Sequence, residues 1–150
     1  MLIQGVLDDL GRDFRVNGVC RLPIAISLAM PELIKAKGSI INISTTLSKG
    51  VMPEIGVYSA SKAAIDHSTS VLAVEYGSQG VRVNAVAPGF TVTEMTKDLD
   101  QEFVKIWQDL SPLGRVGQPD EVASVVAFPA TEDAKWITGQ IFQAGGGVMM

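Results

Sequence analysis

Cysteine and histidine are almost missing: Cys20 and His67 are the single examples in 150 residues. No intrachain disulfide can form, and neither a multi-thiolate nor a histidine-rich metal cluster can be assembled. Charged residues make up only 19% of the chain, the net charge is −4, and no basic run occurs. That balance excludes the electrostatic footprint of a nucleic-acid binder. No stretch approaches the ~20 apolar residues that a membrane-crossing helix needs. The start, Met1 to Gly11, is apolar but contains Asp8-Asp9 and no basic leader, so it does not read as a signal peptide. A soluble protein of a reducing, cytoplasmic compartment is the default expectation. One more absence concerns phosphate. A glycine-rich turn between a strand and a helix start is the usual cradle for a pyrophosphate. Gly5, Gly11 and Gly18 lack its spacing and a preceding strand, and no helix follows Gly145-Gly146-Gly147.

What is present reads as one globular domain over residues 1–150, with 47% hydrophobic residues. Apolar residues at three- and four-residue steps predict a helix from Phe14 to Lys37, kinked or divided at Pro23 and Pro31 and stopped at Gly38. Ser39 to Ile43 reads as a buried strand, Tyr58 to Tyr76 as a helix rich in small residues, and Val81 to Ala87 as a second strand broken by Pro88-Gly89. From Phe90 to Leu113 the chain is more polar, with Met95, Leu99, Phe103, Ile106, Trp107 and Leu110 at helical steps. Pro119-Asp120-Glu121 starts a further helix that Pro129 ends. Ile137 to Ala144 supplies a third strand, and the three glycines after it a mobile end.

The chemistry concentrates at Tyr58 and Lys62. Four residues of helical spacing place them one above the other on one face. A phenol is a poor proton acceptor at neutral pH. An ammonium ~4 Å away at an effective dielectric of ~20 is worth about 4 kcal/mol, which favours the phenolate and makes acid–base work feasible. Ser44 and Thr45 lie at the carboxyl end of the first predicted strand, where ligands of open α/β sheets gather. Either hydroxyl is a candidate to hold a substrate oxygen against the phenol.

Several runs together resemble the short-chain dehydrogenase/reductase family, and in particular its 3-oxoacyl-carrier-protein reductase-like branch. They are Arg15-Val16-Asn17-Gly18-Val19, Gly38-Ser39-Ile40-Ile41-Asn42-Ile43-Ser44, Tyr58-Ser59-Ala60-Ser61-Lys62-Ala63-Ala64, Arg82-Val83-Asn84-Ala85-Val86-Ala87-Pro88-Gly89-Phe90, Gly114-Arg115-Val116-Gly117-Gln118-Pro119-Asp120-Glu121-Val122 and Ile137-Thr138-Gly139-Gln140. The resemblance covers nearly everything from Asp8 onward. It implies an α/β fold, a Rossmann-like doubly wound parallel sheet that lacks its amino-terminal nucleotide-binding half. A full member runs to roughly 250 residues, so the chain resembles one without about its first 90.

The same resemblance implies an oxidoreductase that interconverts an alcohol and a ketone with NAD or NADP. Tyr58 is then the general acid/base, and Lys62 its electrostatic partner and a ligand of the nicotinamide ribose. Asn17 supports a water relay. A catalytic hydroxyl about thirteen residues before the tyrosine selects Thr45, with Ser44 in reserve. Pro88, Gly89, the Val92 backbone and Thr93 meet the nicotinamide end. The Phe90 to Leu113 region is a substrate-covering lid, and the 58–76 helix builds a homo-oligomer interface on which His67 is a surface residue. A rival expectation follows from the absent phosphate turn: a truncated, inactive relative that associates with full-length subunits.

Overall fold

Three parallel strands carry the fold in the residues that the computed structural model describes, 22–94 and 96–148. They are β1 (Ser39–Ile43), β2 (Arg82–Pro88) and β3 (Ile141–Ala144), in the order β1-β2-β3. Ile43 pairs with Val86 and Pro88 with Ala144, so the carboxyl ends of all three strands share one edge of the sheet. β2 is central, and Val83, Asn84, Ala85 and Val86 on it are fully buried. A continuous buried run is what a parallel strand covered on both faces requires. Pro88 has no N–H to give and takes the last position of β2, where the ladder ends.

The helices are α1 (Leu22–Ala36), α2 (Gly56–Gly77), α3 (Gln101–Leu110) and α4 (Pro119–Ala127). A core of Ile26, Met30, Ala73, Val81 and Val83 joins α1, α2 and the start of β2, with Leu33, Ile40, Leu72 and Tyr76 packed around it. Asn42 on β1 donates to the Thr69 hydroxyl on α2 at 2.8 Å, both side chains being buried. No helix among the described residues is long and apolar enough to cross a membrane, and no three His, Cys, Asp or Glu side chains there converge on a metal position.

Five expectations change. The helix predicted over Phe14 to Lys37 is observed as Leu22–Ala36, and what precedes Leu22 lies outside the described residues. Pro31 does not divide it. The only bond that Pro31 withholds is to the carbonyl of Ser27, and both residues are exposed, so water replaces the missing donor. The helix stops one residue earlier than glycine chemistry suggests. Lys37 takes the left-handed conformation (φ 50°), its N–H bonds Ile34 and the N–H of Gly38 bonds Leu33, a Schellman ending.

The third strand starts at Ile141 instead of Ile137, because residues 137–140 fold across β2 as a loop. Within that loop the Gly139 N–H donates to Val83, the Thr138 hydroxyl accepts the Val83 N–H, and Asn84 donates to the Ile137 carbonyl at 3.1 Å while accepting the Gln140 N–H at 3.0 Å. The three glycines after β3 are packed, not free. A Cβ on Gly146 would fall 2.7 Å from the Ser111 hydroxyl and one on Gly147 2.7 Å from the Pro112 ring, and Ser111 donates to the Gly146 carbonyl.

The Arg82 guanidinium reaches the carbonyls of Pro129 at 2.6 Å and Thr131 at 3.3 Å, so the buried Asn84 and this arginine together pin residues 129–140 to β2. Asn84→Ala strands buried polar partners on both sides and is expected to cost about 2 kcal/mol, read as a lowered urea midpoint.

Before α4, Arg115 grips both oxygens of Glu121 at 2.5 and 2.8 Å, and Glu121 also accepts the Gln118 N–H at 2.8 Å. The Arg115 hydrogen bond, then that of Gln118, hold the Glu121 carboxyl down to about 2. Its contribution to stability is therefore present above the unfolded value of ~4.3 and is lost as pH falls through the folded one. Both partners are solvent-exposed, so the effect is small. The urea midpoint is expected to drop over this acid window, and to drop less in Glu121→Gln.

Candidate active site

The site is built where β1 and β2 end. Ser44 extends the ladder by one bond, its N–H donating to the Val86 carbonyl at 2.7 Å. Thr45 then turns the chain into a short 3₁₀ helix, Thr46–Ser48, and caps it: its hydroxyl accepts the Leu47 N–H at 3.3 Å and donates to the Pro88 carbonyl at 3.4 Å. The hydroxyl of Ser44 is buried and has no partner among the described residues. The two candidate hydroxyls thus differ in engagement, Thr45 being held between the end of β2 and the 3₁₀ turn.

α2 begins at Gly56, two residues before Tyr58. Tyr58 and Lys62 follow on the same side and line one open cleft of ≈ 550 Å³. Ser44, Thr45, Pro88, Gly89 and Thr93 line it as well. Lys62 extends to β1, where Nζ donates to the Ile43 carbonyl at 3.1 Å. Burial pushes the Lys62 ammonium below the usual lysine value, and the Asp66 carboxylate one turn along the helix opposes that shift. Asp66 is itself buried and accepts the Ser48 hydroxyl at 2.5 Å.

At Gly89 the cleft wall packs against the turn that follows β3. Gly89 donates to the Ala144 carbonyl, and a Cβ on Gly89 would lie 2.6 Å from the α-carbon of Gly145. A Cβ on Gly145 would in turn lie 2.6 Å from the Thr46 methyl. Beyond Gly89 the chain is braced by the Val92 N–H on the Gly117 carbonyl at 3.0 Å and by the Gly117 N–H on the Phe90 carbonyl at 2.9 Å. Val92 itself does not line the cleft, although its neighbours Thr91 and Thr93 do, and Thr93 is exposed at the mouth, its hydroxyl 3.3 Å from that of Thr96.

The lid predicted over Phe90 to Leu113 is helical only within α3. Trp107 is its buried anchor, stacked on Phe90 with ring centroids 5.6 Å apart and met edge-on by Phe103. Leu99, Phe103, Ile106 and Leu110 are exposed, and Met95 lies outside the described residues. Asn17 also lies outside them. His67 is exposed on α2, away from the cleft lining.

Sequence reasoning passes over Phe90, Ser48 and Asp66. Asp66 had a readable signal, four residues beyond Lys62 on a predicted helix, whereas Ser48 and Phe90 are placed by turns that periodicity does not describe.

A family model described as enoyl-(acyl carrier protein) reductase matches residues 13–149. The chain belongs to the short-chain dehydrogenase/reductase family. It is 46% identical over 139 residues to an uncharacterized oxidoreductase of Methylorubrum extorquens, covering 91% of this chain and 54% of that protein. It is 42% identical over 139 residues to a 3-oxoacyl-[acyl-carrier-protein] reductase of Synechocystis sp., covering 92% and 54%. Its fold superposes with a TM-score of 0.90 at 29% identity on 7α-hydroxysteroid dehydrogenase complexed with NADH and 7-oxo glycochenodeoxycholic acid, covering 96% of this chain and 57% of that one. The chain spans about half the length of the curated relatives it matches.

The Gly89–Gly145 contact gives a direct test. Gly89→Ala forces two backbone segments apart and is expected to cost about 1–3 kcal/mol in a thermal melt. Gly117→Ala serves as the comparison: its Cβ would meet nothing closer than the Thr91 hydroxyl at 3.4 Å, and it is expected to melt near the parent.

Proposed function

We propose that the chain carries the proton-transfer side of an NAD- or NADP-dependent oxidoreductase that interconverts an alcohol and a ketone in the cytoplasm. The supporting observation is convergence. Tyr58, Lys62, Ser44, Thr45, Pro88, Gly89 and Thr93 line one cleft at the carboxyl ends of parallel strands. Tyr58 gives its proton to the ketone oxygen and takes it back from the alcohol. Lys62 stabilises the phenolate by charge. As an ammonium it has three donors and spends one on the Ile43 carbonyl, which leaves donors for the Tyr58 oxygen and for ribose hydroxyls. Thr45 orients the substrate oxygen, its position fixed by Pro88 and Leu47. Ser44 stands behind it as the alternative. Asn17 supports the water relay.

The dinucleotide, when bound, supplies the hydride. Its nicotinamide–ribose end suits the residues present, because Lys62, Thr45 and Thr93 offer polar atoms along the cleft. The Val92 backbone lies between Thr91 and Thr93 of the cleft lining, and its carbonyl is the group that would meet the carboxamide, its N–H being already committed. The similarity to a dehydrogenase solved with NADH supports the choice of cofactor class. We assign the homo-oligomer contact to α2, whose outer side exposes Val71 and Val74 beside a groove shared with α1.

Tyr58→Phe is expected to lower turnover at least 10²-fold in an assay with NAD(P)H and a ketone, with the melting temperature unchanged. Unchanged kinetics would remove Tyr58 from the mechanism. Thr45→Val keeps the shape and loses the hydroxyl, so it is expected to lower kcat/KM more than Ser44→Ala. The reverse order assigns the role to Ser44.

A second reading has its own observation. Among the described residues β1 pairs on one side only, and Ile43 at its end is 47% exposed. An edge of that kind accepts a further strand. On this reading the chain does not bind dinucleotide by itself and works in association with fuller subunits. Titration of the purified chain with NADH and NADPH separates the two, since tight binding of either excludes the second.

A further inference from the structure

Lys62 and Asp66 leave the same face of α2 one turn apart and reach successive points of the same segment. Lys62 holds the Ile43 carbonyl at 3.1 Å, and Asp66 holds the Ser48 hydroxyl at 2.5 Å. Between those two points lie Ser44 and Thr45. The segment that carries the candidate hydroxyls is therefore stapled at both ends to the helix that carries Tyr58. The second Asp66 oxygen is buried with no hydrogen-bond partner among the described residues. A carboxylate kept inside with one oxygen unbonded needs a compensating charge. Lys62 is the cation one helical turn away.

Among the described residues, the other charged groups around this part of α2 are bonded elsewhere or exposed to solvent. β1 has none, Lys49 after the 3₁₀ helix is exposed, and Arg82 on β2 is bound to the carbonyls of Pro129 and Thr131. On α1, Glu32 and Lys35 pair with each other in solvent. On α2 itself, His67 and Glu75 are exposed.

We propose that Asp66 is a positioning residue of the active site: through Ser48 it fixes the turn that presents Ser44 and Thr45 to Tyr58, and its carboxylate is the countercharge to Lys62. The proposal rests on the reading of Tyr58 and Lys62 as the proton-transfer pair. Its two parts separate in two substitutions. Asp66→Asn keeps the shape and an acceptor for Ser48 but removes the charge. Ser48→Ala keeps the charge but removes the tie, and Ser48→Thr restores a hydroxyl.

The full chain is labelled with ¹³C-lysine, and the Lys62 signal is assigned by its loss in Lys62→Met. In Asp66→Asn the Lys62 signal is expected to titrate at lower pH than in the parent, and in Ser48→Ala at nearly the parent pH. In the turnover assay both variants are expected to lose about tenfold in kcat with KM for the dinucleotide nearly unchanged, and Ser48→Thr to recover most of it. An unchanged Lys62 titration in Asp66→Asn overturns the electrostatic part, and full kcat in Ser48→Ala overturns the positioning part. Should Asp66→Asn fail to fold, the Ser48 pair still decides the positioning part, and Asp66→Glu, which keeps the charge, against Asp66→Gln, which does not, decides the electrostatic one by the same Lys62 titration. Failure of the underlying reading shows differently: Tyr58→Phe remains active whatever the Asp66 variants do to Lys62.

Discussion

A lysine amine on a strand-end carbonyl holds the two sides of this site together. The Lys62–Ile43 bond crosses from α2 to β1 at the point where the sheet stops and the chain turns outward. A half-buried ammonium is unfavourable by itself, because water solvates it better than protein does. The strand offers a carbonyl that no neighbour in the ladder needs, and the helix offers a carboxylate one turn on. Helix, strand end and turn are consequently fixed against one another by the same group that the proposed chemistry requires to be charged. Removing the cation would release the geometry as well as the field.

Much of this was readable in the residues. The Tyr58–Lys62 spacing is a helical period, and the helix is there, with its start two residues earlier than predicted. β1 and β2 follow from short apolar runs with β-branched residues, and their observed limits lie within a residue of the expected ones. The misreadings share a cause. Pro31 breaks a local rule, but exposure lets solvent repair the break. Ile137 and Thr138 have strand-like side chains, yet Asn84 and Val83 claim the backbone of that segment as a loop. The glycines after β3 have no side chains to signal packing, and it is the closeness of Ser111 and Pro112 that requires them. Each outcome depends on a partner distant in sequence, which no window of neighbouring residues contains.

The lid shows the same division between pattern and place. Apolar residues at helical steps predict α3, but they do not say which of them turns inward. One does so fully. Trp107 reaches Phe90, while Leu99, Ile106 and Leu110 keep substantial exposure. A helix anchored through one aromatic cluster buries less apolar surface than α2, which packs along β2. It is correspondingly the cheaper of the two to displace.

The meeting of Gly89 and Gly145 has a further meaning. Two bare α-carbons in contact leave no room for a side chain on either, so nothing can be grafted there without prising the sheet open. Variation is left to the side chains that line the cleft above Gly89, Phe90 among them. Diversification of such a scaffold, by nature or by hand, starts from above.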